Sequence, residues 1–336
     1  MFWEKEGKLI YSYDGETVCI EAWGKDALRV RATKNRSFTG RDWALEAKDA
    51  HAGEVEIFED PSAKGGAFAN MYEGTDTSYG KITNGKLHAV IDSGSVITFY
   101  HEDGRVLLKE HFRRLRDEES MPLNIMGREY SNGVGDNFRI VTRFVARKGE
   151  KIFGMGQYQQ HELDLKGCML ELAQRNSQVS VPFYLSSIGY GFLWNNPGVG
   201  QVMFANNGTE WVTESGKEID YLVIAGDTPA EIEENYMTLT GKPPMMPEYG
   251  MGFWQCKLRY WNQEQLLSVA RKYKELGVPL DVIVVDFFHW TKQGEFKFDP
   301  KYWPDVPGMC RELKEMGIQV VVSVWPTVDI YSENFE

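Results

Sequence analysis

The chain has 336 residues, enough for two domains of ordinary size or for one domain followed by part of a larger one. At 42% hydrophobic and 13% aromatic, its composition supports a substantial folded core. The formal net charge is −12 and no run of basic residues is present, which argues against nucleic acid as a partner, because a phosphate-binding surface needs clustered Lys and Arg.

The first part of the chain, residues 1–147, alternates short apolar segments with turn residues. The predicted strands are Leu9 to Tyr13, Thr17 to Trp23, Leu28 to Ala32, Leu87 to Ile91 and Val96 to Tyr100. Gly, Asp and Asn separate them at intervals of about ten residues, which is typical of an antiparallel β-sandwich. The segment 49–80 is small and polar, and part of it is predicted as loop.

The β pattern continues through residues 150–225. The predicted strands here are Lys151 to Met155, Val179 to Leu185, Gly191 to Trp194, Val202 to Phe204 and Tyr221 to Ile224. A helix follows, with Thr228 as N-cap, Pro229 as its first residue and an end near Leu239. The proline-rich segment 241–249 reads as a stiff connector. We therefore predict a β-sandwich domain over residues 1–240 and a linker over 241–249.

Residues 250–336 change pattern. Three short apolar runs, expected to be strands covered on both faces, are Met251 to Cys256, Val282 to Phe288 and Val320 to Trp325. Two amphipathic helices separate them, one from Asn262 to Leu276 and one opening at Asp305. Their expected buried residues are Leu266, Leu267, Ala270 and Tyr273 in the first, and Met309, Cys310, Leu313 and Met316 in the second. Parallel strands joined by right-handed helical crossovers are the simplest account, in an open sheet or in a (β/α)8 barrel.

In both kinds of parallel sheet, chemistry takes place at the carboxyl ends of the strands. The second predicted strand ends in Asp286, Phe287 and Phe288, followed by His289 and Trp290, and the third ends in Trp325. A carboxylate among aromatic rings suits a sugar, whose apolar faces stack on rings while its hydroxyls need charged acceptors.

Four strings carry a resemblance to a known family. They are KIFGMGQYQQHELDLKG, QRNSQVSVPFYLSSIGYGFLWNN, YMTLTGKPPMMP and VIVVDFFHW, in this order along the chain. Together they resemble glycoside hydrolase family 31, the retaining α-glycosidases, over residues 150–336. The resemblance implies a β-sandwich N-terminal domain, over residues 1–240, followed over 250–336 by the first three βα units of a (β/α)8 TIM barrel, truncated.

The resemblance also concerns the catalytic residues. A retaining glycosidase uses two carboxyl groups about 5–5.5 Å apart, one as nucleophile and one as acid/base. In the family the nucleophile is an Asp on the fourth barrel strand and the acid/base Asp comes later, so both are expected beyond Glu336. No catalytic residue is therefore assigned within the chain, and the chain alone is expected to be inactive.

The resemblance assigns sugar contacts to several residues. Asp286 matches the family Asp that binds sugar hydroxyls in the −1 subsite. Phe287 and Phe288 stand where α-glucosidases of the family show an Ile and a second Asp. A ring in place of that carboxylate should favour a pentopyranose, so the resemblance points to an α-xylosidase. The alternatives are an α-glucosidase, with a Phe turned into the core, and an inactive fragment that at most binds sugar.

Further residues are expected near the sugar. Trp325 and Trp290 are expected to contribute to the pocket wall. Arg175 lies on a loop that, in the family, reaches toward the +1 subsite, although a structural role in holding that loop is an equal alternative. Trp254 and Arg259 are candidates for the pocket rim. A buried position for the Trp254 ring and a surface position for the Arg259 charge are equally good explanations.

No metal or organic cofactor is implied, because two carboxylates handle the oxocarbenium-like transition state. The expected partner is an α-xyloside or α-glucoside, not nucleic acid or a membrane, and a homo-oligomer of the complete enzyme is left open. No apolar segment follows a basic start and no run approaches about 18 apolar residues, so a cytoplasmic location is expected. The cysteines, which show no metal-like spacing, are predicted to be free and buried: Cys19, Cys168, Cys256 and Cys310.

Overall fold

A computed structural model of the chain describes residues 1–61, 77–111, 113–115 and 123–335. Part of the segment 49–80, in which loop was predicted, lies outside the described residues. The chain divides into two compact units, Met1–Pro243 and Pro244–Glu336. The division falls inside the segment 241–249.

The first unit is built almost entirely from strands. Its strands are β1 (Phe2–Lys5), β2 (Lys8–Tyr13), β3 (Glu16–Trp23), β4 (Ala27–Thr33), β5 (Ala50–His51), β6 (Glu54–Phe58), β7 (Tyr79–Asn84), β8 (Leu87–Asp92), β9 (Ile97–His101), β10 (Val106–Lys109), β11 (Arg113–Leu115), β12 (Leu123–Ile125), β13 (Arg128–Asn132), β14 (Phe138–Phe144), β15 (Ile152–Gln157), β16 (Met169–Leu172), β17 (Val179–Ser186), β18 (Tyr190–Trp194), β19 (Gly200–Ala205), β20 (Gly208–Gly216) and β21 (Ile219–Ala225). The predicted strands are all present within a few residues of their expected bounds.

These strands form three large antiparallel sheets. The first has the order β1-β2-β3-β4-β21-β18-β17-β15, with β5 paired to β3, the second β10-β9-β8-β7-β6, and the third β13-β14-β20-β19-β16. One hydrophobic core draws residues from all three, including Ile20 of β3, Ile82 of β7 and Trp211 of β20. The β-sandwich prediction is confirmed.

Strand burial follows the period of two that a sheet with one covered face requires. In β8, Leu87, Ala89 and Ile91 are buried while the residues between them are partly exposed. Strands β18 and β21 depart from this pattern, because every residue of both is buried. Tyr221 points into the main core, and its neighbour Leu222 joins a second cluster on the opposite face of the sheet.

The second cluster is covered by helix α1 (Pro229–Thr240), which contributes Ile232 and Leu239 to it. The hydroxyl of Thr228 accepts a hydrogen bond from the backbone N–H of Glu231 at 3.2 Å, and Pro229 opens the helix. The N-cap predicted from the sequence is therefore confirmed. A short 3₁₀ helix, Ala47–Asp49, lies earlier in the chain.

The second unit alternates strands and helices. Its elements are a 3₁₀ helix (Glu248–Met251), β22 (Trp254–Gln255), α2 (Gln263–Glu275), β23 (Val282–Val285), α3 (Val306–Glu315) and β24 (Gln319–Val322). The strands form one parallel sheet in the order β22-β23-β24, with Ile283 opposite Val320. This is the predicted strand and helix order.

Both helices of this unit begin at the predicted N-caps. Asn262 and Asp305 each accept a hydrogen bond at 2.8 Å, from the backbone N–H of Gln265 and of Gly308 respectively. The buried residues are Leu266, Leu267 and Ala270 in α2, and Met309 and Leu313 in α3.

Three sequence expectations for burial need correction. Cys310 is exposed, because it follows Met309 by about 100° around the helix and leaves the packed face. Cys256 is also exposed and Cys168 is half-buried, so only Cys19 of the four free cysteines is buried as expected. The strands expected to be covered on both faces are partly open: Trp254 is exposed in β22, which is only two residues long, and Gln319 and Val322 are exposed in β24. None of the helices in the described ranges is long and apolar enough to cross a bilayer.

Candidate active site

The carboxyl end of β23 places a half-buried carboxylate where the strand gives way to a loop. Asp286 follows Val285 directly, and its Oδ1 accepts a hydrogen bond from the backbone N–H of Phe287 at 2.8 Å. The carbonyl oxygen of Asp286 lies 3.0 Å from Nδ1 of His289. The loop after the strand is thereby tied back to Asp286, which holds the orientation of the carboxylate.

His289 is buried, as expected of a residue that stabilises the loop. It is 3% exposed, and burial lowers its pKa from the ordinary value. The ring is therefore neutral near pH 7, with Nδ1–H donating to the Asp286 carbonyl.

The aromatic residues around Asp286 form one cluster. The ring of Phe287 lies 4.5 Å from that of Phe288 and stacks on Trp325 at 5.2 Å, with an interplanar angle of 21°. Phe288 in turn lies 6.5 Å from Trp325 and 6.1 Å from Trp290. The structure thus brings together five of the six residues predicted to contact sugar.

The members of the cluster differ in what they offer to a ligand. Phe288 is 50% exposed and Trp325 42%, so each presents ring surface to solvent. Trp290 is only 7% exposed and packs against Phe288 and His289. In this arrangement Trp290 supports the Phe288 ring from within instead of forming an open wall.

Cys256 contacts the carboxylate from the neighbouring strand. Its Sγ lies 3.6 Å from Oδ2 of Asp286, at hydrogen-bond distance for a thiol donor. Burial and the negative charge of Asp286 raise the pKa of Cys256, so the thiol stays protonated and can donate. This contact was not predicted from the sequence, although one signal was present. Cys256 ends the first apolar run, and the ends of adjacent parallel strands meet at one edge of the sheet.

Arg259 and Phe288 have an unusual backbone in common. Their φ angles are 60° and 63°, in the left-handed region that bulky side chains avoid at a cost of about 1–3 kcal/mol each. The Arg259 guanidinium lies over two rings, 3.8 Å from the centroid of Trp261 and 5.1 Å from that of Phe288. Strained backbone of this kind clusters at active sites and ligand clamps, and both positions lie in loops that follow adjacent parallel strands.

Two further candidates have other surroundings. Trp254 on β22 is 44% exposed, and its Nε1 donates to the carbonyl oxygen of Gly250 at 3.1 Å. Arg175 belongs to the first unit and forms a bidentate ion pair with Glu171, with N–O distances of 2.6 and 2.9 Å. This pair closes the loop on itself, and both side chains are exposed.

The arrangement in the second unit can bind a polyol. One carboxylate accepts hydroxyl hydrogens, and two open rings offer apolar faces. A retaining cleavage needs a second carboxyl group about 5–5.5 Å from the first catalytic one. Among the described residues, no cluster of three or more His, Cys, Asp or Glu side chains is arranged to hold a metal ion.

Two family descriptions match consecutive parts of the chain. Residues 17–202 match the glycosyl hydrolase 31 N-terminal galactose mutarotase-like domain. Residues 243–336 match the TIM-barrel domain of glycosyl hydrolases family 31. The chain belongs to glycoside hydrolase family 31.

Individual family 31 relatives are similar along most of the chain. An uncharacterised family 31 glucosidase of Pseudescherichia vulneris is 42% identical over 99% of this chain. An α-xylosidase of Saccharolobus solfataricus is 36% identical over 59% of it. The crystal structure of a family 31 α-xylosidase from a soil metagenome, complexed with xylose, is 44% identical and superimposes over 100% of this chain with a TM-score of 0.85.

These family 31 relatives are longer than the chain. It spans 61% of the Pseudescherichia glucosidase, 29% of the Saccharolobus α-xylosidase and 48% of the metagenomic α-xylosidase. The similarity establishes the N-terminal β domain and the first part of a TIM barrel.

Proposed function

We propose that the complete protein is a retaining α-glycosidase that releases α-linked xylose. Asp286 would bind sugar hydroxyls, and Phe287, Phe288 and Trp325 would form the apolar wall of the sugar site. The observation that carries this proposal is the half-exposed ring of Phe288 two residues after the carboxylate of Asp286. We assign no catalytic carboxylate within residues 1–336, and the activity belongs to the complete protein.

The preference for xylose depends on the apolar ring that Phe288 would place next to C5 of the sugar. A xylopyranoside carries only hydrogen there, whereas a glucopyranoside carries a hydroxymethyl group. Burying that hydroxyl against a ring without a partner costs about 1–3 kcal/mol. This corresponds to roughly ten- to a hundredfold in kcat/KM.

The relatives support the proposal without separating it from a second candidate. Several of them are named α-xylosidases, including one solved with xylose. The 42% identical relative is named a glucosidase, which favours an α-glucosidase as the alternative.

The test is a panel of nitrophenyl glycosides offered to the complete protein. We expect kcat/KM for the α-xyloside to exceed that for the α-glucoside by at least about tenfold, and the β-xyloside to serve as an unreactive control. Preference for the α-glucoside would replace the proposal by its alternative. No turnover of any α-glycoside would leave only a sugar-binding role.

A further inference from the structure

The first unit contains a cleft of about 880 Å³ that the proposed glycosidase site does not use. Its walls come from the segment 35–43, which follows β4 and lines the cleft with every residue except Gly40 and Asp42, from residues 136–137 between β13 and β14, and from residues 196–198, 213 and 215–218. The volume lies within the range of about 300–1,000 Å³ that is usual for small-molecule sites.

One wall of the cleft is irregular backbone fixed by a buried arginine. Arg29 is completely buried and donates to both carboxylate oxygens of Asp220, at 3.0 and 2.7 Å. It also donates to Oδ1 of Asp42 and to the carbonyl oxygen of Arg41, both at 2.8 Å. Two successive residues of the wall are therefore tied to strands β4 and β21.

Two more buried polar side chains hold the same wall. Asn195 donates to the carbonyl oxygen of Asp42 at 3.1 Å and accepts from the backbone N–H of Ala44 at 3.2 Å. Glu218, 3% exposed, accepts from both the N–H and the hydroxyl of Thr39 at 2.8 Å. The wall is pre-organised, so a ligand would not have to order it on binding.

Trp43 is the unusual residue of this wall. Its φ is 53°, in the left-handed region, yet its side chain is 48% exposed. The backbone cost of about 1–3 kcal/mol is therefore not offset by burial of a large ring. The guanidinium of Arg41 lies 5.7 Å from the ring centroid. A strained backbone that presents an aromatic face to an open cleft points to a ligand.

The remaining lining combines Phe38 and Pro197 with polar groups, and its charges are close to balanced. Amide side chains come from Asn35, Asn137 and Asn196. The charged lining residues are Arg36, Arg41, Lys217, Asp136 and Glu218, three cations and two carboxylates. Lys217 and Asp136 pair with each other at 2.8 Å. This near balance disfavours a strongly anionic ligand, whereas amides and a ring face suit the hydroxyls and apolar faces of a neutral sugar.

We propose that this cleft is an accessory binding site for a neutral oligosaccharide, with Trp43 as the stacking platform. The proposal stands on the first unit alone and does not require the proposed preference for xylose. Such a site would hold a glycan chain on the protein independently of cleavage.

The test measures trisaccharide binding to the complete protein. In an Asp286→Ala background, which weakens the proposed sugar site, saturation-transfer NMR and calorimetry with α-1,4-, α-1,6- and β-1,4-linked glucose trisaccharides should reveal saturable binding to at least one. Adding Trp43→Ala should weaken it at least about tenfold, while Trp43→Phe retains most of it. Trp3→Ala is the matched control, because Trp3 is a 37% exposed tryptophan outside the cleft.

Two further measurements separate this site from the glycosidase site. Trp43→Ala alone should leave kcat/KM for a small nitrophenyl α-glycoside and the melting temperature unchanged. Trisaccharide binding that is equal with and without Trp43, or absent from the Asp286→Ala protein, would overturn the proposal. A change of oligomeric state on Trp43→Ala, seen by sedimentation, would also overturn it by assigning the cleft to a second copy of the chain.

Discussion

The guanidinium of Arg259 lies 5.1 Å from the centroid of the Phe288 ring, and both residues have left-handed backbone angles. Arg259 follows β22 and Phe288 follows β23, so the contact joins the loops at the ends of two adjacent strands. Arg259, in the neighbouring loop, therefore helps to hold the Phe288 ring in position.

Replacing Arg259 by leucine should loosen the Phe288 ring. A cation–π contact contributes about 0.5–2 kcal/mol, so the ratio of kcat/KM for α-xyloside over α-glucoside should fall roughly two- to thirtyfold in the complete protein. The ratio is the informative readout, because a simple loss of stability would lower both activities together. Lys301→Leu is the control, since it removes a cation 5.1 Å from the Tyr302 ring. An unchanged ratio in Arg259→Leu would remove Arg259 from the positioning of Phe288.

Changing Phe288→Asp together with Phe287→Ile should reverse the sugar preference. The new carboxylate can accept the hydroxyl of a hydroxymethyl group, so activity on α-glucosides should rise and activity on α-xylosides should fall. Asp286→Ala should instead reduce both activities alike, because it is assigned to hydroxyls that the two sugars share. Initial rates with the two nitrophenyl substrates measure both variants against the parent protein. Equal loss on both sugars from the double change would place the Phe288 ring in the core.

Arg128 should be essential to the stability of the β-sandwich. It pairs with the buried carboxylate of Glu110, which also accepts from the backbone N–H of Ile97 at 3.0 Å and from the hydroxyl of Tyr221 at 3.2 Å. Arg128→Met would leave that buried charge without its cation, at a cost of about 3–5 kcal/mol in the free energy of unfolding.

Urea denaturation measures this cost. Adding Glu110→Gln to Arg128→Met should recover part of it, because the buried charge of Glu110 is then gone while Glu16, the second carboxylate paired with Arg128, keeps its charge. The matched control is Arg139→Met, which breaks an exposed pair with Glu214 and should cost less than about 1 kcal/mol. A loss in Arg128→Met no larger than in this control would contradict the assignment.

Acid should weaken the contact between the β7–β8 turn and α1. A hydrogen bond from Lys86 lowers the pKa of Glu231 from its ordinary value of 4.5 to about 2. A carboxyl group with a depressed folded-state pKa contributes stability above its unfolded pKa and loses it as pH falls through the folded value. The difference in stability between the parent protein and Glu231→Gln should therefore shrink from pH 5 to pH 2.

Thermal melts across this pH range test the prediction. Lys86→Met should reduce the pH-dependent part of the difference, since the Lys86 hydrogen bond is the largest cause of the lowered pKa, while the backbone N–H of Asp227 continues to donate to Glu231. Glu234→Gln changes a carboxylate of the same helix outside the Lys86 pair and serves as the control. A difference that stays constant from pH 5 to pH 2 would show that Glu231 is not stabilised by Lys86.

Local signals in the sequence determined much of this fold. The caps Thr228, Asn262 and Asp305 act within three or four residues of themselves, so their side-chain chemistry alone predicts where the helices begin. Alternating apolar residues likewise predicted the strands of the β-sandwich. The order of strands and helices after residue 250 predicted that Asp286 and Trp325 would stand at the ends of neighbouring parallel strands.

Only the tertiary structure decided how the side chains of the candidate site meet. The contact of Cys256 with Asp286 and the cation–π contact of Arg259 with Phe288 each join residues about thirty positions apart. Phe288 is exposed, whereas Trp290, two residues later, is buried. This difference depends on the left-handed backbone at Phe288, a conformation that phenylalanine does not favour by itself. Such a conformation persists only because surrounding packing holds it, and that packing is absent from any short stretch of sequence.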